Sequence, residues 1–273
     1  MRVSIILPTF NGHNPINRSV QSVFSQSYGG WELIIVDDYS NPSIGRVIEK
    51  KYLDDPRLHI HRNNENMGIQ RSLNKGISLA KGEYIARIDD DDWWHDREKL
   101  SKQIRFLDNN SEYGMIGTGT VVVDERGIEI FRYLSKESDE EIREIILRKN
   151  PFTHSSVLFR RSLINELSGY SEALEARYVE DYDLWLRMGA RAKLANLPNH
   201  SVSFTLKEKG SLSSDNKVIQ LKNSLGLIRQ YKKDYRGSAK ALFYVYLKFL
   251  GYRLYRILPK FLRDKIFSIY KRA

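Results

Sequence analysis

The sequence predicts an α/β fold built on a doubly wound, mostly parallel sheet with flanking helices. Short and almost wholly apolar runs, Val3-Ser-Ile-Ile-Leu-Pro8 and Leu33-Ile-Ile-Val36, suit strands buried on both faces of a parallel sheet. Segments with apolar residues at helical spacing separate such runs. The resulting order over about the first 90 residues, strand and helix in alternation, is how these sheets are wound.

Each element follows from its own pattern. Val3–Pro8 also imitates the start of a secretion signal, but the run is brief, is broken by Pro8 and lacks a small-residue cleavage site, so it reads as the first strand. Val20, Val23 and Phe24 predict a helix within 17–28, and 58–62 reads as a third strand. Ile69, Leu73 and Ile77 share one helical face, with Gly82 as the expected stop. Residues 83–88 predict a fourth strand. Further on, Leu100, Ile104 and Leu107 mark a helix. Residues 115–123 and 129–134 predict strands joined by a turn at Glu125-Arg-Gly127, and Ser138 is the expected N-cap of a helix reaching Lys149. A short strand is expected at 155–159, then a helix over 181–188 with Leu184 and Trp185 inward. Two strands are expected at 193–197 and 201–206, and helix from about Asp215 almost to the end.

Composition narrows the class. The 273 residues are 41% apolar, enough for a sizeable core, which excludes global disorder. The absence of cysteine excludes disulfides, thiolate metal sites and cysteine nucleophiles, and fits a reducing compartment. No apolar run approaches the roughly 20 residues that cross a bilayer. The net charge is +10, from 44 Lys and Arg against 34 Asp and Glu. From Arg229 to Ala273 there are 13 Lys and Arg and 2 Asp and Glu, so the tail carries +11 and the first 228 residues −1. A nucleic-acid binder spreads basic residues over its reading face, whereas a basic tail beside a neutral body is an interaction appendage.

Three acidic motifs stand at expected element ends. Asp89-Asp90-Asp91-Asp92 follows a buried strand directly, and parallel sheets bind ligands at the carboxyl ends of their strands. Adjacent carboxylates raise one another's pKa unless a cation sits among them. On extended chain Asp89 and Asp91 project to one side, a pairing suited to one Mg²⁺ or Mn²⁺ ion; a solvated acidic loop is the plain alternative. Asp37-Asp38 ends the second strand, where a carboxylate accepts hydrogen bonds from a nucleotide or simply forms the turn of Asp-Tyr-Ser-Asn-Pro. Glu180-Asp181 opens a helix, as a general base across the cleft or as a charge favoured by the helix dipole. No G-x-G-x-x-G or P-loop motif is present, so a bound nucleotide would rely on a metal for its phosphates. His59 and His61 alternate on one strand without a third zinc ligand, His154 is placed to face the cleft, and Trp93 and Trp94 wall a ligand or belong to the core.

These blocks, in this order, resemble the family 2 glycosyltransferases, bacterial inverting enzymes with a GT-A fold. The matching stretches are residues 3–11, Glu32-Leu-Ile-Ile-Val-Asp-Asp-Tyr-Ser40, Asn66-Met-Gly68 through Ile77, Gly82 through Asp92, His154 through Arg161, and Glu180 through Arg187. The resemblance spans about residues 3–205 and rests on six spaced blocks. It implies a donor-binding set of Pro8, Thr9, Asp38, Gly68 and Asp90, with Asp38 at the base and Asp90 near the ribose. It implies Asp91 as metal ligand, with Asp89 shaping the site, and Asp181 as catalytic base, with Glu180 beside it. It implies Mn²⁺ or Mg²⁺ as cofactor, a nucleotide-sugar donor carrying UDP, and a glycan or lipid-linked acceptor in surface polysaccharide synthesis. Two departures stand out: Leu73 where the family often has Arg before Asn74, and Lys207 and Lys209 ahead of Gly210-Ser-Leu-Ser-Ser214 where it often has an Arg and a Ser-rich loop.

The expected organisation is a catalytic domain over 1–212, with a nucleotide-sugar half at 1–112 and an acceptor half at 113–212, and a helical appendage over 213–273. Within the appendage Phe243, Tyr246, Leu247, Leu250, Leu254 and Ile257 share one helical face, while Lys248, Arg253 and Arg256 lie elsewhere; beyond Pro259 the pattern repeats over 261–270. Such a helix lies in a membrane interface or packs on the body. The resemblance favours the cytoplasmic face of the cell membrane. Two other classes remain at this stage: a non-catalytic glycan- or nucleotide-binding scaffold of the same fold, which Asp91 and Asp181 argue against, and a nucleic-acid binder, which the neutral body argues against.

Overall fold

The computed structural model describes residues 1–207 and 216–257. Nine strands form one sheet: β1 (Val3–Thr9), β2 (Trp31–Asp37), β3 (Leu58–Arg62), β4 (Tyr84–Arg87), β5 (Trp93–Trp94), β6 (Tyr113–Val123), β7 (Glu129–Tyr133), β8 (Leu158–Arg160) and β9 (Lys193–Thr205). The helices are α1 (Ile16–Phe24), α2 (Lys50–Leu53), α3 (Ile69–Leu79), α4 (Lys99–Asn109), α5 (Asp139–Ile145), α6 (Arg161–Glu166), α7 (Glu180–Gly189), α8 (Lys217–Tyr231) and α9 (Ser238–Ile257).

The sheet runs β3-β2-β1-β4-β8-β6-β9-β5, with β7 alongside β6. β1 pairs in parallel with both β2 and β4, and β2 with β3. The chain thus winds outward from β1 to β3, then returns to the other side of β1 for β4. That reversal is a topological switch point, where open α/β sheets bind ligands. The second half is mixed: β8 is antiparallel to β4 and β6, and β9 is parallel to β6. The α/β class with flanking helices is as expected, but the sheet is mixed where a mostly parallel one was expected: β1–β4 pair in parallel, as do β6 and β9, and the remaining pairings are antiparallel.

Alternation sorts the apolar runs onto two faces. Val3, Ile5, Leu7, Leu33 and Ile35 face a layer containing α1 and α4, through Val20, Val23, Leu100 and Ile104. Ile6, Ile34 and Val36 face the other layer, with Leu73 and Ile77 of α3 and Leu184 and Trp185 of α7. Burial on both faces is why these strands read as unbroken apolar runs. Ser138 caps α5 as expected, in a reciprocal capping box with Glu141.

Several local expectations are corrected. Gly82 does not stop α3, which ends at Leu79 with Ala80 already extended. Its small size serves a close approach: a Cβ at Gly82 would lie 2.6 Å from the Ser4 backbone nitrogen. The two strands expected over 193–206 are one strand, β9, with register shifts against β6 that bend it. The strand expected at 155–159 begins at Leu158, after a turn of 3-10 helix at His154–Ser156. The C-terminal region is two helices interrupted at residues 232–237. Both pack into the main core, through Leu227 and Ile228 of α8 and Ala241 and Val245 of α9. The expected boundary at 212/213, Lys209 with the Gly210–Ser214 stretch, and the repeat over 261–270 lie outside the described residues.

Candidate active site

The switch point is where the acidic motifs meet. Thr9 ends β1, and its hydroxyl donates to Asp90 Oδ2 at 2.6 Å, tying the ends of β1 and β4 together. Asp89–Asp92 is not extended: Asp90 and Asp91 form a turn closed by Asp92 N donating to the Asp89 carbonyl at 3.3 Å. The premise that Asp89 and Asp91 project side by side from a strand therefore fails. A turn splays the four carboxylates toward four different sets of partners.

Asp89 forms an ion pair with Arg87, a fully buried arginine on β4. Burial alone would raise the Asp89 pKa, but the guanidinium overrides it and holds the carboxyl below its usual range. Asp90 is pushed up to about 7 by burial and by the charge of Asp91. Asp91 is raised by burial and by Asp89, against the pull of Lys207, whose Nζ lies 2.6 Å from Asp91 Oδ2. Asp92 is wholly buried, raised well above the ordinary value by desolvation, and takes hydrogen bonds from Ser155 Oγ and, at 2.9 Å, from Thr205 N. The repulsion expected among adjacent carboxylates thus persists at Asp90, Asp91 and Asp92, and it is eased by Arg87 at Asp89 and by Lys207 at Asp91.

At the end of β2 the two aspartates divide their work. Asp37 forms the turn, accepting from Ser40 N at 2.8 Å and Ile44 N at 3.1 Å. Asp38 accepts from Asn63 Nδ2 at 2.7 Å, Met67 N at 2.8 Å and Gly68 N at 2.8 Å. It fixes the loop entering α3, in which Gly68 adopts a φ of +86° that favours glycine. Pro8 and Thr9 are buried at the end of β1.

The second half supplies the opposite wall. Glu180 and Asp181 occupy the first turn of α7, whose N-cap, Val179, makes no side-chain cap. Asp181 accepts from Asn150 Nδ2 at 2.8 Å and from Tyr182 N at 2.7 Å, while Glu180 Oε2 is buried with no hydrogen-bond partner among the described residues. Burial raises both; Glu180, further repelled by Asp181, is pushed up to about 7. Arg87 and Asp89 act electrostatically on this pair, so the acidic turn and the α7 carboxylates share one site. His154 is half-buried and kept neutral by desolvation and by Arg87, with Nε2 2.7 Å from the Tyr170 hydroxyl. Trp94 is core, donating from Nε1 to the Ser155 carbonyl at 2.8 Å, and Trp93 lies under the Arg18 guanidinium at 3.6 Å. His59 is partly exposed, 3.6 Å from Glu32.

Sequence reasoning missed Arg87, Asn150 and Ser155. Arg87 carried a signal, a charge inside an otherwise apolar strand, because such a residue is buried only when paired. Nothing local marked the other two.

The residues fit a divalent ion held largely by its ligand. Among the described residues no three His, Cys, Asp or Glu side chains are grouped for a metal. Mg²⁺ and Mn²⁺, however, take one or two carboxylates and complete their shell with water and phosphate. Asp91 offers a hard, partly exposed oxygen, and Lys207 already places positive charge against it.

Aspartates gathered at a switch-point edge, with a carboxylate pair at the start of α7 in electrostatic reach, form a candidate glycosyltransferase site. The chain belongs to glycosyl transferase family 2, whose model matches residues 4–168. EpsE of Bacillus subtilis (strain 168), named as a glycosyltransferase, is 36% identical over 189 residues, 68% of this chain and 66% of that protein. The amylovoran biosynthesis glycosyltransferase AmsE of Erwinia amylovora is 29% identical over 199 residues, 72% of this chain and 73% of that protein. S. aureus TarS 1-349 in complex with UDP-GlcNAc matches with a TM-score of 0.67 at 22% identity, over 84% of this chain and 66% of that one. The mannosyltransferase PcManGT from Pyrobaculum calidifontis, in complex with GDP-Man and Mn²⁺, matches with a TM-score of 0.66 at 16% identity, over 90% of this chain and 68% of that one. These two likenesses establish the GT-A fold.

Proposed function

We propose that this protein is a metal-dependent, inverting glycosyltransferase that moves a sugar from a nucleoside-diphosphate donor to a hydroxyl of a glycan or lipid-linked acceptor in surface polysaccharide synthesis. The observation that carries the reading is that Arg87 and Asp89 of the acidic segment, which Thr9 ties to the end of β1 through Asp90, lie in one electrostatic field with Glu180 and Asp181, although the two motifs are remote in sequence. The relative named for amylovoran biosynthesis and the donors in the matching structures support it.

In this reading Pro8, Thr9, Asp38, Gly68 and Asp90 wall the donor nucleotide, and UDP is the proposed carrier. Asp38 acts there chiefly by fixing the Asn63–Gly68 loop. Asp91 holds the metal, and Arg87 keeps Asp89 ionised beside it. A bound Mg²⁺ or Mn²⁺ would neutralise charge on the departing diphosphate. The α7 pair takes the acceptor's proton, Asp181 as base with Glu180 beside it, while Asn150 orients Asp181. The acceptor oxygen forms its bond to the sugar's anomeric carbon as the carbon–oxygen bond to diphosphate breaks, its electron pair leaving with the diphosphate. Attack from the opposite face inverts the centre through an oxocarbenium-like state. Residues 1–112 hold the donor and 113–212 the acceptor.

We also propose peripheral contact with the inner face of the cell membrane. α9 packs on the body through Ala241 and Val245 and leaves Phe243, Tyr246, Leu247, Leu250 and Leu254 exposed. Among the described residues no helix is long and apolar enough to cross a membrane.

A thermal-shift screen of nucleotide sugars, with and without Mn²⁺, tests the transferase reading. A fitting donor at 100-fold excess over its dissociation constant stabilises by about 2.7 kcal/mol. The shift should require the metal and vanish in Asp91→Asn. If no nucleotide sugar stabilises the protein with Mn²⁺ present, the reading is lost.

A further inference from the structure

Among the described residues, Lys207 is a cation ion-paired at the acidic turn whose role the transfer chemistry leaves open. It follows β9, and two hydrogen bonds set its direction: Thr205 N donates to Asp92 Oδ1 at 2.9 Å, and Thr205 Oγ1 donates to the Asp91 carbonyl. The strand end is thereby laid over the turn, and the lysine folds back onto Asp91 at 2.6 Å. The two cations of the turn differ in freedom. Arg87 is sealed inside the protein against Asp89. Lys207 is 31% exposed and its partner carboxylate 20%, so this pair sits at the mouth of the site. An ammonium on a flexible four-carbon stem is a point charge that can exchange one anion for another by rotating its own bonds, without moving the backbone.

We propose that Lys207 is a tethered cation that occupies Asp91 in the free protein and passes to the donor's diphosphate when a divalent ion takes Asp91. The inference rests on the reading of Asp91 as metal ligand. It makes Lys207 a positioning residue with opposite effects on two ligands. In the free protein the ammonium competes with the metal for one carboxylate. In the loaded protein it becomes a second positive charge on the diphosphate. No covalent bond changes; one ion pair is exchanged for two. A residue that merely braced the fold would, when removed, weaken both ligands together.

The test uses the full chain and Lys207→Met, which keeps an unbranched apolar stem and deletes the charge. Mn²⁺ alone is titrated into each protein, and the free ion is followed by electron paramagnetic resonance. UDP and GDP are then titrated calorimetrically in saturating Mn²⁺. The variant should bind Mn²⁺ alone about fivefold more tightly, the effect of removing one partly exposed competing charge. It should bind the nucleoside diphosphate about fivefold more weakly, for the same reason with the sign reversed. Equal or weaker Mn²⁺ binding by the variant overturns the inference while leaving Asp91 as a ligand. If Mn²⁺ binds neither protein, alone or with a nucleoside diphosphate, the metal reading of Asp91 fails and the inference falls with it. Nucleotide binding that persists in that case would keep the donor reading standing.

Discussion

At the residue scale, the site is a set of carboxylates kept in different protonation states by their partners. Asp89 is held ionised by Arg87, while Asp90, Asp92, Glu180 and Asp181 are all pushed up by burial. A general base must be ionised to work. With Glu180 raised to about 7 and coupled to Asp181, the α7 pair keeps a proton in mildly acidic solution and sheds it as pH rises. The ratio kcat/KM should therefore climb between about pH 6 and about pH 8. A profile that is flat or falling over that range would remove the pair from the base role. Asp181→Asn should lower kcat by about 10²- to 10⁴-fold while leaving donor-induced thermal stabilisation in place. Loss of donor binding instead would move Asp181 to the donor side of the cleft.

At the scale of elements, close packing decides where small residues are required. Gly82 lies between α3 and β4 against the backbone of Val3 and Ser4, and a side chain there meets atoms that cannot move aside. Gly82→Ala should lower the free energy of unfolding by about 1–3 kcal/mol in urea titrations. Gly226, within α8, has open space around its would-be Cβ. Gly226→Ala should raise stability by up to about 1 kcal/mol, because alanine loses less backbone freedom in a helix. Equal effects at the two positions would contradict this account. The strands and helices themselves were legible because burial on two faces and the 3.6-residue period are local properties of the chain. The bend in β9 was not, since its register shifts answer to β6, which sequence patterning does not report.

At the scale of the whole molecule, the body is near neutral and the excess positive charge lies beyond Arg229. That charge joins an exposed apolar stripe on α9, whose opposite side is anchored in the core. Anionic lipid attracts each nearby Lys or Arg by about 1 kcal/mol, and apolar side chains add burial in the interface. The full chain should co-sediment with phosphatidylglycerol vesicles, less so in high salt, and little with phosphatidylcholine alone. Leu247→Asp with Leu250→Asp should abolish the association and leave the donor thermal shift unchanged. Unaltered vesicle binding by that double variant would mean that the stripe is not the contact.

The sequence by itself determined the α/β class, most of the elements and the places where carboxylates would gather, because apolar runs and strand ends are written locally. It also marked the acidic turn and the α7 pair, although it misjudged the turn as extended chain. Only the tertiary structure decided which aspartate meets which partner. Asp92 finds Ser155 and Thr205, and Asp91 finds Lys207, across separations of 63 to 116 residues. The charge state of a buried carboxylate is set by atoms a few ångströms away in space, and the order of residues along the chain does not encode that distance until the sheet has formed.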